Sequence, residues 1–176
     1  MAVDGTTVYD ATGSLMVERF GFDGSSLGQL PLESGLSLRV GETNVYSAHM
    51  SGATPGVSYV AKSGGDVKTM GMGGMGELID DKGQRKPSAL APIDIAVDGD
   101  TVFALTGFGV QWARVGEASF HAMQTKATLS GAAPSTGNNG IAVNATHVLW
   151  TGGVPNLSGD GGLATRGQVY RIARCK

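Results

Sequence analysis

Few residues in this sequence have the makings of a reaction centre. There are three histidines, His49, His121 and His147, and a single cysteine, Cys175. Nucleophilic catalysis needs a serine or cysteine held against a base that a carboxylate orients. The histidines stand far apart, no GxSxG elbow occurs, and no catalytic residue is assigned. A lone cysteine excludes an internal disulfide, a CxxC redox pair and a thiolate zinc site. Methionine is denser, for "TMGMGGMG" at 69–76 brings Met70, Met72 and Met75 together. Thioethers suit Cu(I), but flexible packing against a neighbouring element accounts for the same run, so no metal is favoured. The loop "NLSGDGGLATRG" offers Asn156, Ser158 and Asp160. Ca²⁺ takes about 6–8 oxygens, and one carboxylate is too few. Asp80 and Asp81 read as a solvated pair. The candidate ligand-binding residues are therefore loop residues, namely Asp80, Asp81, Arg85, Asn156, Asp160 and Arg166, and no cofactor is implied.

Composition narrows the partners. The net charge is −2, and the densest basic spot is 82–86, "KGQRK". That short run reads as a solvated loop, so a nucleic-acid partner is not favoured. No apolar run approaches the ~20 residues that span a bilayer. Met1 is followed at once by "AVDG", so this chain carries no signal peptide. The expectation is either a cytoplasmic protein or a chain lacking its natural N-terminal part.

The elements that must position these residues come from a repeat. "IAVDGDTVFALTG" at 95–107 returns as "IAVNATHVLWTGG" at 141–153, with weaker copies from Met1 and Leu36. Aligned on Val3, Val40, Val97 and Val143, each copy is a β-rich run, a polar turn and a second run entered through valine. That pattern is a β-hairpin. Third strands follow at 14–24, 56–65, 109–118 and 167–176, and fainter fourth strands at 26–32, 66–72 and 121–129. Tyr59, Trp112 and Tyr170 occupy the fourth position of three third strands, with Val17 in the other. Tyr9, Tyr46, Phe103 and Trp150 read as a matching set on the second strands. Glycine, 29 of 176 residues, fits tight turns between short strands.

The prediction is all-β, with about four four-stranded antiparallel blades of a β-propeller. Their approximate bounds are 1–35, 36–92, 93–139 and 140–176, and the last blade lacks its fourth strand. Ile95–Val97 with Val102-Phe103, and Ile141–Val143 with Val148-Leu149-Trp150-Thr151, resemble the repeats of TolB-like and YWTD-like six-bladed propellers of secreted bacterial proteins. The first and second copies depart from that pattern, ending "VYDATG" and "VYSAHM". The resemblance implies a secreted or periplasmic location. An unpaired last edge is best covered if the chain is part of a larger propeller; a half-ring that self-associates and a closed four-blade ring are the alternatives.

In such a fold the short first-to-second turns share one face, and the variable connections 51–55, 73–92 and 151–167 share the other. Variable loops on a regular scaffold are where binding resides. The expected function is a noncatalytic binding module that uses this face for a protein, peptide or glycan. The alternatives are a propeller enzyme, lyase or hydrolase, with its site at the central opening, and a purely structural repeat.

Overall fold

The computed structural model describes residues 1–11, 16–33, 35–49, 55–73, 75–79, 85–107, 109–123, 140–154 and 166–174, and these form seventeen strands and no helix. Sheet 1 contains β1 (Ala2–Val3), β2 (Thr7–Asp10), β3 (Val17–Gly21) and β4 (Ser26–Leu30). Sheet 2 contains β5 (Ser37–Val40), β6 (Asn44–His49), β7 (Gly56–Ala61) and β8 (Lys68–Gly71). A separate hairpin, β9 (Met75–Ile79) with β10 (Arg85–Ala89), precedes sheet 3. Sheet 3 contains β11 (Pro92–Asp98), β12 (Thr101–Thr106), β13 (Gly109–Arg114) and β14 (His121–Ala122). Sheet 4 contains β15 (Ile141–Val143), β16 (His147–Val154) and β17 (Arg166–Ala173). Every sheet is an antiparallel meander in chain order.

The repeated valines set the register. Val3 pairs with Val8, Val40 with Val45, Val97 with Val102 and Val143 with Val148, each across its first turn. β-branched residues favour this pleated, half-buried setting. The polar turn residues close the hairpins: Asp4 Oδ1 accepts from the Thr6 and Thr7 amides, and Asn144 Oδ1 accepts from those of Thr146 and His147.

Each sheet is apolar on its faces and buries them against its neighbours. The seam between sheets 1 and 2 holds Tyr9, Val17 and Leu30 against Leu38, Val45 and Val60. The middle seam holds Tyr46, Val57, Tyr59 and Met70 against Ile95, Val102, Ala113 and Phe120. Between sheets 3 and 4, Phe103, Leu105 and Val110 meet Ile141, Val148 and Trp150. Each fully buried Val or Ile contributes roughly 1.5–3 kcal/mol, so the seams carry most of the stability. The first strands run side by side, β1 against β5, β5 against β11 and β11 against β15.

Two aromatic expectations need correction. Val17 and Tyr170 do not share the place of Tyr59 and Trp112, for the register puts Tyr59 opposite Tyr46 and Trp112 opposite Phe103, and at that level blade 1 has Arg19 opposite Tyr9 and blade 4 has Arg171 opposite Leu149. Trp150 also does not match Tyr9, Tyr46 and Phe103, for it lies two residues past Val148, where they lie one past theirs. A shift of one residue turns a side chain to the opposite face. Trp150 therefore points back into the seam with sheet 3, stacked on Tyr170 with ring centroids 5.6 Å apart. The stretch 73–92, read as irregular, contains the β9–β10 hairpin.

Candidate functional site

An up-and-down order separates the connections by end. First-to-second and third-to-fourth turns lie at one end of the sheets, the turn end. Second-to-third loops and sheet-to-sheet crossovers, including β9–β10, lie at the other, the loop end.

The turn end carries a repeated ion pair. Lys62 Nζ of sheet 2 lies 2.8 Å from Asp4 Oδ2 of sheet 1, and Arg174 of sheet 4 pairs with Asp98 of sheet 3. The two pairs are equivalent, since each acid follows the first-strand valine and each base follows the third strand. The Lys62 ammonium holds the Asp4 carboxyl well below the usual carboxylate range, against its partial desolvation. The amides of Thr6 and Thr7 and the Tyr9 hydroxyl act in the same direction. Burial, then the hydrogen bond to Asp4, pushes the Tyr9 phenol up. In the middle seam the equivalent positions are Gly41 and Val115. A Cβ on Gly41 would lie 3.0 Å from Tyr46 Cε2, and Val115 packs against the seam core, so no acid or base is accommodated there.

The loop end has a different construction. Asp94, on β11 beside a register shift between Pro92 and Asp94, is buried at the inner strands. A bulge of this kind re-aims a side chain. Asp94 Oδ1 accepts from Ser37 Oγ at 2.5 Å, from Arg39 Nη2 at 2.7 Å and from its neighbour's amide, Ile95 N, at 2.9 Å. Asp94 Oδ2 accepts from Ile141 N at 3.0 Å. One carboxylate thus joins the first strands of sheets 2, 3 and 4. The Arg39 side chain is 42% exposed, the Asp94 side chain 12%. On the third strand of the same sheet, Gln111 exchanges two hydrogen bonds with the Gly73 backbone, 3.1 Å from Gly73 N to Gln111 Oε1 and 2.7 Å from Gln111 Nε2 to Gly73 O. Gly73 is obligatory, because a Cβ there would meet the Phe120 carbonyl oxygen at 1.9 Å.

No family model and no curated protein matches this sequence. Among solved structures, a chain of a nidogen/laminin complex superposes with a TM-score of 0.52 at 12% identity, over 86% of this chain and 54% of that chain. The matched region is a YWTD β-propeller. The fold is a β-propeller. Its blades are the sheets described above, and this chain spans about half the length of its neighbour.

Of the candidate residues named from sequence, two fall on described strands. Asp80, Asp81, Asn156 and Asp160 lie outside the described residues; Arg85 opens β10 and Arg166 opens β17, where the backbone alone is described. Met70 is a core residue of the middle seam and Met72 packs against the same cluster, which is packing chemistry; the Met75 side chain lies outside the description. Among the described residues no group of three His, Cys, Asp or Glu is placed to hold a metal. His49 Nε2 and Ser58 Oγ share a hydrogen bond of 2.9 Å, and Ser58 Oγ lies 2.8 Å from Thr69 Oγ1. His49 and Ser58 are buried, so this chain of hydroxyls ties β6, β7 and β8 together. His121 pairs with Glu117 at 3.3 Å, and His147 lies 2.8 Å from Thr146 Oγ1.

The polar centre the structure does assemble, Ser37, Arg39 and Asp94, was not singled out from sequence. A signal was present: "PIDIAVD" puts a carboxylate within a β-rich run whose other copies have Ser37 or Gly140 at that place. An acid flanked by buried positions needs a partner.

Proposed function

We propose that this propeller is an interaction module that binds a protein or peptide at its loop end, centred on the middle seam. The observation that carries the reading is the β9–β10 hairpin, a two-stranded sheet added between blades 2 and 3 that pairs with no other strand among the described residues. The blades do not need it for their own ladders, and the first strands of blades 2, 3 and 4 are already locked by Asp94. A rigid scaffold carrying an appended element is the usual arrangement of a recognition surface. Support also comes from the solved neighbour, a propeller in a nidogen/laminin complex. A secreted or periplasmic location goes with this reading, and the neighbour's extracellular setting is consistent with it. Arg85, Arg166 and the acids Asp80, Asp81 and Asp160 are the proposed contacts, with Asn156.

The test is lysine cross-linking with mass spectrometry on the intact chain in extracts of its own source. The expected result is cross-links to one partner through Lys86 on β10, lost when residues 75–89 are replaced by a Gly-Ser linker. Cross-links to that partner confined to Lys62 and Lys68, at the turn end, would refute it.

A further inference from the structure

The β9–β10 hairpin has two outer edges, and they are not equivalent. In an antiparallel ladder, opposed residues alternate between pairs that exchange both backbone hydrogen bonds and pairs that exchange none. Pro87 lies opposite Glu77 in the middle of the ladder and has no N–H to give. Pro87 and Glu77 are therefore a pair that exchanges none, and the bonds run between Lys86 and Leu78 and between Ser88 and Gly76. The backbone groups of the alternate residues point away from the partner strand. On β10 these are Arg85, Pro87 and Ala89, so the outer row of β10 lacks its central donor. On β9 they are Met75, Glu77 and Ile79, whose N–H and C=O groups form an unbroken outer row.

Blades 1, 2 and 3 blunt their outer edges by other means. β4 has a register shift between Arg19 and Phe20 opposite it, and Gly28 at φ +86°. β8 has four residues and opens on the exposed Lys68, and β14 has two residues. Bulges, lysines, prolines and short length are the devices that keep sheet edges from pairing. β9 has five residues in continuous register, no proline, no lysine and, among the described residues, no strand on its outer side. A competent edge beside a blocked one is a template for a single further strand.

We propose that β9 takes an extended segment of a partner protein as a third, antiparallel strand, with lysine or arginine opposite Glu77. The proposal rests on the loop-end reading above and adds its mode of recognition. Antiparallel pairing is the more stable kind per residue. Glu77 is the centre of the outer row, and opposite charges across a ladder are favourable where like charges are not. The same rule argues against a second copy of this chain as the occupant. The antiparallel alignment of two β9 strands that uses all five residues sets Glu77 against Glu77.

The probe is a fluorescein-labelled nonapeptide of alternating threonine and valine with lysine at its centre. It is titrated into the full chain by anisotropy, with amide hydrogen exchange followed in parallel. The expected result is saturable binding that slows exchange at Met75, Glu77 and Ile79 and leaves Arg85 and Ala89 as before. Glu77→Pro should weaken binding at least about tenfold by removing the central outward donor, while the inward amides of Gly76, Leu78, Lys86 and Ser88 stay protected. Replacing the central lysine of the peptide by glutamate should weaken binding about threefold, and Glu77→Lys should restore it for that second peptide. The charge exchange leaves the backbone intact, so it tests the site independently of the proline variant. Absence of binding, protection on β10 or β17 in place of β9, or indifference to both Glu77 variants would overturn the proposal. The loop-end reading fails separately, by loss of the Lys86 cross-links in the wild-type chain, whatever the peptide does.

Discussion

The outer seams and the middle seam place their ion pairs at opposite ends. Seams 1–2 and 3–4 place an acid–base pair at the turn end, Asp4–Lys62 and Asp98–Arg174. The middle seam has Gly41 and Val115 there, and places its polar contacts at the loop end, where Ser37 and Arg39 meet Asp94 and Gly73 meets Gln111. The difference teaches where the repeat is structural and where it is specialised. A partly exposed ion pair contributes little, and the middle seam does without one at that end. A buried carboxylate serving three strands cannot be exchanged so freely, and it lies between the two blades that the added hairpin connects in the chain.

The comparison breaks most severely at the apolar part of the middle seam. Ile95 is fully buried there, and Ile95→Ala should cost about 2–5 kcal/mol, read as a lower urea midpoint with an unchanged slope. Asp94→Ala comes next, at about 2–3 kcal/mol, since it strands the Ser37 hydroxyl and the Ile141 and Ile95 amides at once. Gly73→Ala should cost about 1–3 kcal/mol by forcing β8's extension away from the Phe120 carbonyl, and thermal unfolding would show it.

The turn-end pairs should be the weakest. A double-mutant cycle on Asp4 and Lys62 should give a coupling of about 0.2–1 kcal/mol that fades in high salt. Its pH dependence has a definite sign. The Asp4 carboxyl is depressed in the folded state, so its contribution is complete above the ordinary aspartate value of about 3.9 and is lost as pH falls below it. Acid titration of stability in wild type and Asp4→Asn should diverge above that value and converge below it.

Much of the scaffold could be read from the residues. Val3, Val40, Val97 and Val143 mark the first turns because cross-strand valine pairs occupy the same level in every blade. Trp150 was misplaced because "VLW" and "VYS" look alike when spacing is counted from the aromatic, although one residue reverses the face. The β9–β10 hairpin was hidden by Pro87 and by glycine, which argue against a strand unless it is an edge, and both of its strands are edges. The polar centre was hidden for another reason. Ser37, Arg39 and Asp94 belong to two different copies, with Asp94 57 residues from Ser37 and 55 from Arg39, and only stacking brings them together. The ion pairs at the turn end were equally invisible, because Asp4 and Asp98 satisfy the local turn pattern on their own.

The most direct test of this account is amide hydrogen exchange at Ile141 in wild type and Asp94→Ala. The Ile141 amide of blade 4 donates to Asp94 Oδ2 of blade 3 at 3.0 Å. Removing the carboxylate should speed its exchange at least about tenfold, the equivalent of ~1.4 kcal/mol of protection. The Arg174 amide at the turn end, bonded to the Thr146 carbonyl, should exchange as before. Unchanged exchange at Ile141, or an equal acceleration at both amides, would contradict a carboxylate that joins the inner strands of three blades.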